Sequence, residues 1–108
     1  MGKSHAFTIR IYQITKDFPR DELYSLTSQV RKAAYSIPAN IAEGCGRNTQ
    51  KELANFLQIS LGSANESEYF LLLAKDLNYI NVEVYSESII EINLIKAMLI
   101  KLLVKVRL

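Results

Sequence analysis

The stretch Asp21-Glu22-Leu23-Tyr24-Ser25-Leu26-Thr27-Ser28-Gln29-Val30-Arg31-Lys32-Ala33-Ala34-Tyr35-Ser36-Ile37-Pro38-Ala39-Asn40-Ile41-Ala42-Glu43-Gly44-Cys45-Gly46 decides the fold. Leu23, Leu26, Val30, Ala33 and Ile37 fall at three- and four-residue steps, the repeat of a helix with one apolar face. Pro38 interrupts that stripe. A proline inside a helix removes one backbone hydrogen bond and costs roughly 3 kcal/mol in an isolated helix. The apolar pattern nevertheless resumes at Ile41 and Ala42, so the stretch predicts one kinked helix rather than two. Asp21 and Glu22 carry the charge that suits its N-terminus. Gly44 and Gly46 predict its end through a glycine cap.

Upstream, Phe7, Ile11 and Ile14 predict a shorter helix from about His5 to Asp17, ended by Phe18-Pro19. Downstream, Thr49-Gln50-Lys51-Glu52 forms a capping box. Leu53, Leu57, Ser60, Ala64, Ser67, Leu71 and Ala74 then repeat at heptad spacing. The middle of that stripe is small, which lets a neighbouring backbone come close. Asn81 is a plausible N-cap for a last helix from Val82 to the C-terminus. Helices joined by short loops alternate in direction. The expected architecture is therefore all-α: an antiparallel, up-down-up-down four-helix bundle. No repeat or linker divides the chain, so residues 1–108 are expected to form a single domain.

The last helix carries three apolar stripes, more than the arc of somewhat over 100° that one bundle seam uses. Ile95, Leu99, Leu102 and Val106 are the expected interface of a homo-oligomer. The competing account places this helix deep among the other three.

The net charge of +2 is too small to announce a nucleic-acid binder, so any basic patch must come from clustering. Cys45 is the only cysteine, which excludes an intrachain disulfide and suits a reducing compartment. Met1 to His5 is polar with no apolar run behind it, so no signal peptide is read. Glu91, Asn93, Lys96, Lys101, Lys105 and Arg107 interrupt the most apolar stretch too often for a span of about 20 apolar residues. A cytoplasmic protein without membrane contact is expected.

Few residue sets here carry chemistry. Gly2-Lys3-Ser4 lacks the upstream glycine and preceding strand of a phosphate loop. Asn65-Glu66-Ser67 matches a glycosylation sequon but lies in mid-helix, where chance explains it. One histidine, His5, excludes a di-iron bundle, and no metal or other cofactor is expected. Asn40, Glu43 and Glu66 instead predict a buried polar network that fixes helix register. That network would answer the carbonyl of Ala34, which Pro38 leaves without its donor. Carboxylate catalysis would need a cleft, which a packed seam does not provide. Arg31, Lys32, Arg47 and Lys51 are the candidate contacts to phosphates, against the plainer account of a solvated surface.

The residues from Phe18 to Ile80 carry a family resemblance. Leu26-Thr27-Ser28-Gln29-Val30-Arg31-Lys32-Ala33-Ala34 leads into Ser36-Ile37-Pro38-Ala39-Asn40-Ile41-Ala42-Glu43-Gly44, with Gly46-Arg47 following. Glu52, Phe56, Leu57, Gly62-Ser63, Glu66, Leu72-Leu73-Ala74-Lys75-Asp76-Leu77 and Tyr79-Ile80 complete it. The chain resembles the bacterial four-helix bundle proteins encoded in intervening sequences of large-subunit ribosomal RNA genes. It is similar also to the accessory protein of diversity-generating retroelements, which binds a reverse transcriptase and nucleic acid. The resemblance implies a four-helix protomer and a homopentamer. It marks Ser36, Pro38, Asn40, Glu43, Gly44 and Arg47 as motif residues of at least partly structural role.

Two functions follow as expectations. One is a non-enzymatic oligomeric adaptor for structured RNA, a ribonucleoprotein or a nucleic-acid enzyme. The other is a protein-interaction scaffold with no nucleic-acid role. They differ in whether the basic residues converge.

Overall fold

The computed structural model describes residues 2–108. Four α-helices follow in order: α1 (Gly2–Thr15), α2 (Ser28–Cys45), α3 (Gln50–Asp76) and α4 (Val82–Arg107). There is no strand among the described residues. Each helix packs on the next, and α1 also touches α4, which closes a four-helix bundle. α3, with 27 residues, is about 40 Å long at 1.5 Å per residue and runs the 43 Å axis of the molecule. α1, with 14 residues, reaches only about half as far.

The expected kink lies elsewhere. α2 passes Pro38 without leaving the helix. The non-helical backbone falls upstream, at Tyr24 and Ser25, inside a π-type turn (Leu23–Thr27) that follows a 3-10 turn (Arg20–Glu22). Leu23, expected on the buried stripe, is consequently exposed. α1 supplies what Pro38 takes away. The Thr8 hydroxyl lies 3.1 Å from the Ala34 carbonyl and 2.8 Å from that of Ser4, and shares its one proton between them. Ser60 of α3 donates to the neighbouring Ile37 carbonyl at 3.0 Å. The proline is tolerated because two other helices answer the backbone around it.

The small stripe of α3 faces the interior, with Ser60, Ala64 and Ser67 fully buried. Gly44 shows how closely the helices approach: a methyl group there would lie 2.9 Å from Cβ of Phe56 and 3.1 Å from Leu53. Gly44 therefore stays inside α2 and serves packing. The cap is Gly46, with an ordinary φ of −88°.

Thr49 and Asn81 both act as N-caps, Thr49 accepting from the Glu52 amide at 3.1 Å, which is one half of the expected capping box, and Asn81 from the Val84 amide at 2.8 Å. α3 ends in a Schellman motif. Asn78 adopts φ 63°, and the Tyr79 and Asn78 amides return to the Ala74 and Lys75 carbonyls. The α1–α2 turn is pinned to this corner. Phe18 packs on Tyr79 with ring centroids 5.4 Å apart, and the Tyr79 hydroxyl donates to Glu22 at 2.8 Å.

Candidate functional site

The polar motif does not form one network. Asn40 is half-buried and its Nδ2 donates to the Ser36 carbonyl one turn back, at 2.7 Å. Glu43 is exposed and pairs with Arg47, one helical turn further on. Glu66 is exposed on α3, not buried on the bulky stripe. The reason is geometric: Thr8 and Ser60 already satisfy the carbonyls around Pro38, so no buried carboxylate is called for. Thr8 carried the signal, being a threonine on the apolar face of α1.

The four candidate phosphate contacts divide into two pairs. Arg31 and Lys32 lie in the first turns of α2, whereas Arg47 and Lys51 flank the α2–α3 turn. About 21 Å of helix separates Arg31 from the end of α2 at Cys45. Within one protomer they do not converge. Arg47 is also engaged: its guanidinium lies 4.9 Å from the Phe56 ring centroid while bonded to Glu43. Lys51 has a basic neighbour from the far end of the chain, Arg107. Gln50, Lys51, Asn55 and Arg107 line a cavity of about 430 Å³ between the start of α3 and the end of α4. Lys101 and Lys105 stand exposed within the last two turns of α4. Read along the chain, these cations looked like mere breaks in an apolar stretch.

The interface expectation needs correction. Ile95 and Leu99 are completely buried within the protomer, and Leu102 and Val106 pack partly buried against the same core. Ile95 and Leu99 therefore have no surface left for a second subunit, whereas Leu102 and Val106 keep part of theirs. The surplus apolar surface lies on the opposite side of α4. Ile90, Leu94, Ile100 and Val104 are 62%, 50%, 50% and 57% exposed, with exposed Ala97 between them.

His5 stands exposed in the first turns of α1 and Cys45 exposed at the end of α2. Among the described residues, no three His, Cys, Asp or Glu side chains gather where they could hold a metal ion. No described helix is long and apolar enough to cross a membrane.

These features define a small four-helix bundle protein with a basic end and an apolar outer stripe. The chain belongs to the 23S rRNA-intervening sequence protein family, whose model matches residues 1–101. The family pattern thus extends beyond Phe18–Ile80 into both flanking helices. A solved structure, at 1.70 Å, of a protein with unknown function from the S23 ribosomal protein family of Bacteroides thetaiotaomicron VPI-5482 is similar. The two share 30% identity and a TM-score of 0.88 over 94% of this chain and 95% of that one. No curated protein matches the chain.

Proposed function

We propose that the chain is a non-enzymatic binding protein that assembles with copies of itself through the outer face of α4 and serves as an adaptor for structured RNA. The exposed row Ile90, Leu94, Ala97, Ile100 and Val104 carries the assembly step. A contiguous apolar stripe on the water-facing side of a bundle marks an interaction surface, and a repeated copy of the same stripe is its simplest complement. The family resemblance makes five the expected subunit number. Assembly would repeat Lys51, Lys101, Lys105 and Arg107 around a ring, so that weak single contacts become a multivalent surface.

A protein scaffold without any nucleic-acid role is the second reading. It is favoured by the pairing of Arg47 with Glu43 and by the distance of Arg31 and Lys32 from the other pair.

Light scattering tests the first step. The wild type should run as an oligomer, and Leu94→Glu with Val104→Glu should reduce it to a folded protomer. A wild-type protomer mass at micromolar concentration would overturn assembly. Fluorescence anisotropy with a structured RNA at two salt concentrations tests the second. Binding should fall steeply with salt, because phosphate neutralisation releases counterions. Lys51→Glu with Arg107→Glu should weaken it without changing mass. Absence of binding at low salt would replace the adaptor by the scaffold.

A further inference from the structure

The turn joining α1 to α2 encloses a second basic cavity, at the other end of the bundle from Lys51 and Arg107. It measures about 260 Å³, and Thr15, Lys16, Arg20, Thr27 and Arg31 contribute to its lining. No carboxylate lines it. Asp17 lines a separate cavity with Tyr79 and Asn81, and Glu22 is held by the Tyr79 hydroxyl and the Leu26 amide. Among the described residues, neither Lys16, Arg20 nor Arg31 forms an ion pair.

A fixed arginine makes this more than a cluster of surface cations, and a buried hydroxyl lies beside it. Thr27 is 3% exposed, and its Oγ1 has no hydrogen-bond partner among the described residues. A helical hydroxyl ordinarily reaches the carbonyl four residues back, as Thr8, Thr15, Ser67 and Ser88 do in this chain. For Thr27 that carbonyl belongs to Leu23, and the backbone leaves the helical path between them at Tyr24 and Ser25. A buried hydroxyl without a partner is costly and calls for an explanation. Arg31 is held from two sides. Its Nε donates to Thr15 Oγ1 at 2.8 Å, and its guanidinium lies 4.8 Å from the Tyr12 ring centroid. Its terminal amino groups make no hydrogen bond among the described residues and remain available to an acceptor.

We infer that this cavity binds a phosphate group. A phosphate dianion offers several acceptor oxygens, which suits a fixed guanidinium and two further cations. The space is smaller than the roughly 300–1,000 Å³ of pockets that enclose drug-sized ligands, so a small anion or a terminal phosphate fits it better than a whole cofactor. The site stands apart from the proposed RNA contacts and from the outer face of α4, so it survives the failure of either.

The test is a nitrogen-15 chemical-shift titration of the full chain with inorganic phosphate, against chloride at equal ionic strength. Phosphate should saturate shifts at Thr15, Thr27 and Arg31 that chloride does not produce. Lys16→Ala with Arg20→Ala, both at exposed positions, should weaken binding about tenfold or more while leaving the helical signal intact. Arg31→Gln should weaken it independently. Titration with a short RNA bearing a 5′-phosphate, and with the same RNA ending in a 5′-hydroxyl, separates the sources. A preference for the phosphorylated end assigns the site to a terminal phosphate. Saturable phosphate binding without that preference assigns it to a free anion. Shifts that match those of chloride, or that persist unchanged in both variants, overturn the site.

Discussion

The two faces of α4 are alike in composition and opposite in circumstance. Ile92, Ile95, Leu99 and Leu103 are buried, with Ser88 beside them donating to its own helix. Ile90, Leu94, Ala97, Ile100 and Val104 face water. With 3.6 residues per turn, Ile90 and Leu99 stand on directly opposite sides. An apolar residue count therefore shows that α4 has more hydrophobic surface than one seam uses, but not which side the protomer buries. The inward face is the one that the packing of α4 on α3 and α1 takes into the core.

The contrast is broken most violently from the inside. Leu99→Asp places a charge in a completely buried position and removes a large apolar side chain. The cost should exceed about 4 kcal/mol, most of the stability of a small domain. Circular dichroism should show an unfolded or aggregated chain. A folded Leu99→Asp protein would mean that the two faces are interchangeable.

Gly44→Ala probes the inner surface more gently. The added methyl would lie 2.9 Å from Cβ of Phe56, so α2 and α3 must move apart. Overpacking of this kind costs about 1–3 kcal/mol, more than the gain of up to about 1 kcal/mol from replacing glycine inside a helix. Urea denaturation should show a net loss. Unchanged stability would remove close packing as the reason for this glycine.

Helix number, order and N-caps are legible in the sequence because each depends on local spacing. The Thr49 and Asn81 caps depend only on the residues that follow them. What was not legible depends on residues distant in the chain. Pro38 suggested a local kink, but Thr8, 30 positions upstream, answers its orphaned carbonyl. Asn40, Glu43 and Glu66 suggested a buried network, which hydroxyl groups made unnecessary. Ile95 and Leu99 suggested an interface, since periodicity gives the angle between stripes and not the side on which α3 lies. The orphaned Thr27 hydroxyl could not be foreseen, because nothing in its neighbours announces the break at Tyr24 and Ser25.

Gly62 is the outward counterpart of Gly44. A methyl group there would meet nothing within 4 Å, and the residue is exposed in the middle of α3. Gly62→Ala should stabilise the protomer by about 0.5–1 kcal/mol through the lower entropy cost of ordering alanine. Calorimetry would measure a raised melting temperature. A lowered one, with a reduced mass by light scattering, would place Gly62 in a contact between subunits and extend the assembling surface from α4 to α3.

The smallest expected effect lies where the two environments meet. Tyr79 packs its ring against Phe18 and directs its hydroxyl to Glu22. That hydrogen bond, aided by desolvation and by the negative charges of Glu22 and Asp21, holds the phenol pKa above its ordinary value. The folded chain thus keeps this proton more tightly than the unfolded chain does. The corresponding stability is complete below the unfolded phenol value of about 10 and is lost as the pH rises through the folded value. A carbon-13 titration of the tyrosine rings should find Tyr79 ionising above its unfolded value. Glu22→Gln keeps an acceptor for the hydroxyl and removes the charge, so it should bring the Tyr79 midpoint down with little change in stability at neutral pH. If the midpoint does not move, the carboxylate is not what retains the proton, and the link between the α1–α2 and α3–α4 turns rests on the aromatic contact alone.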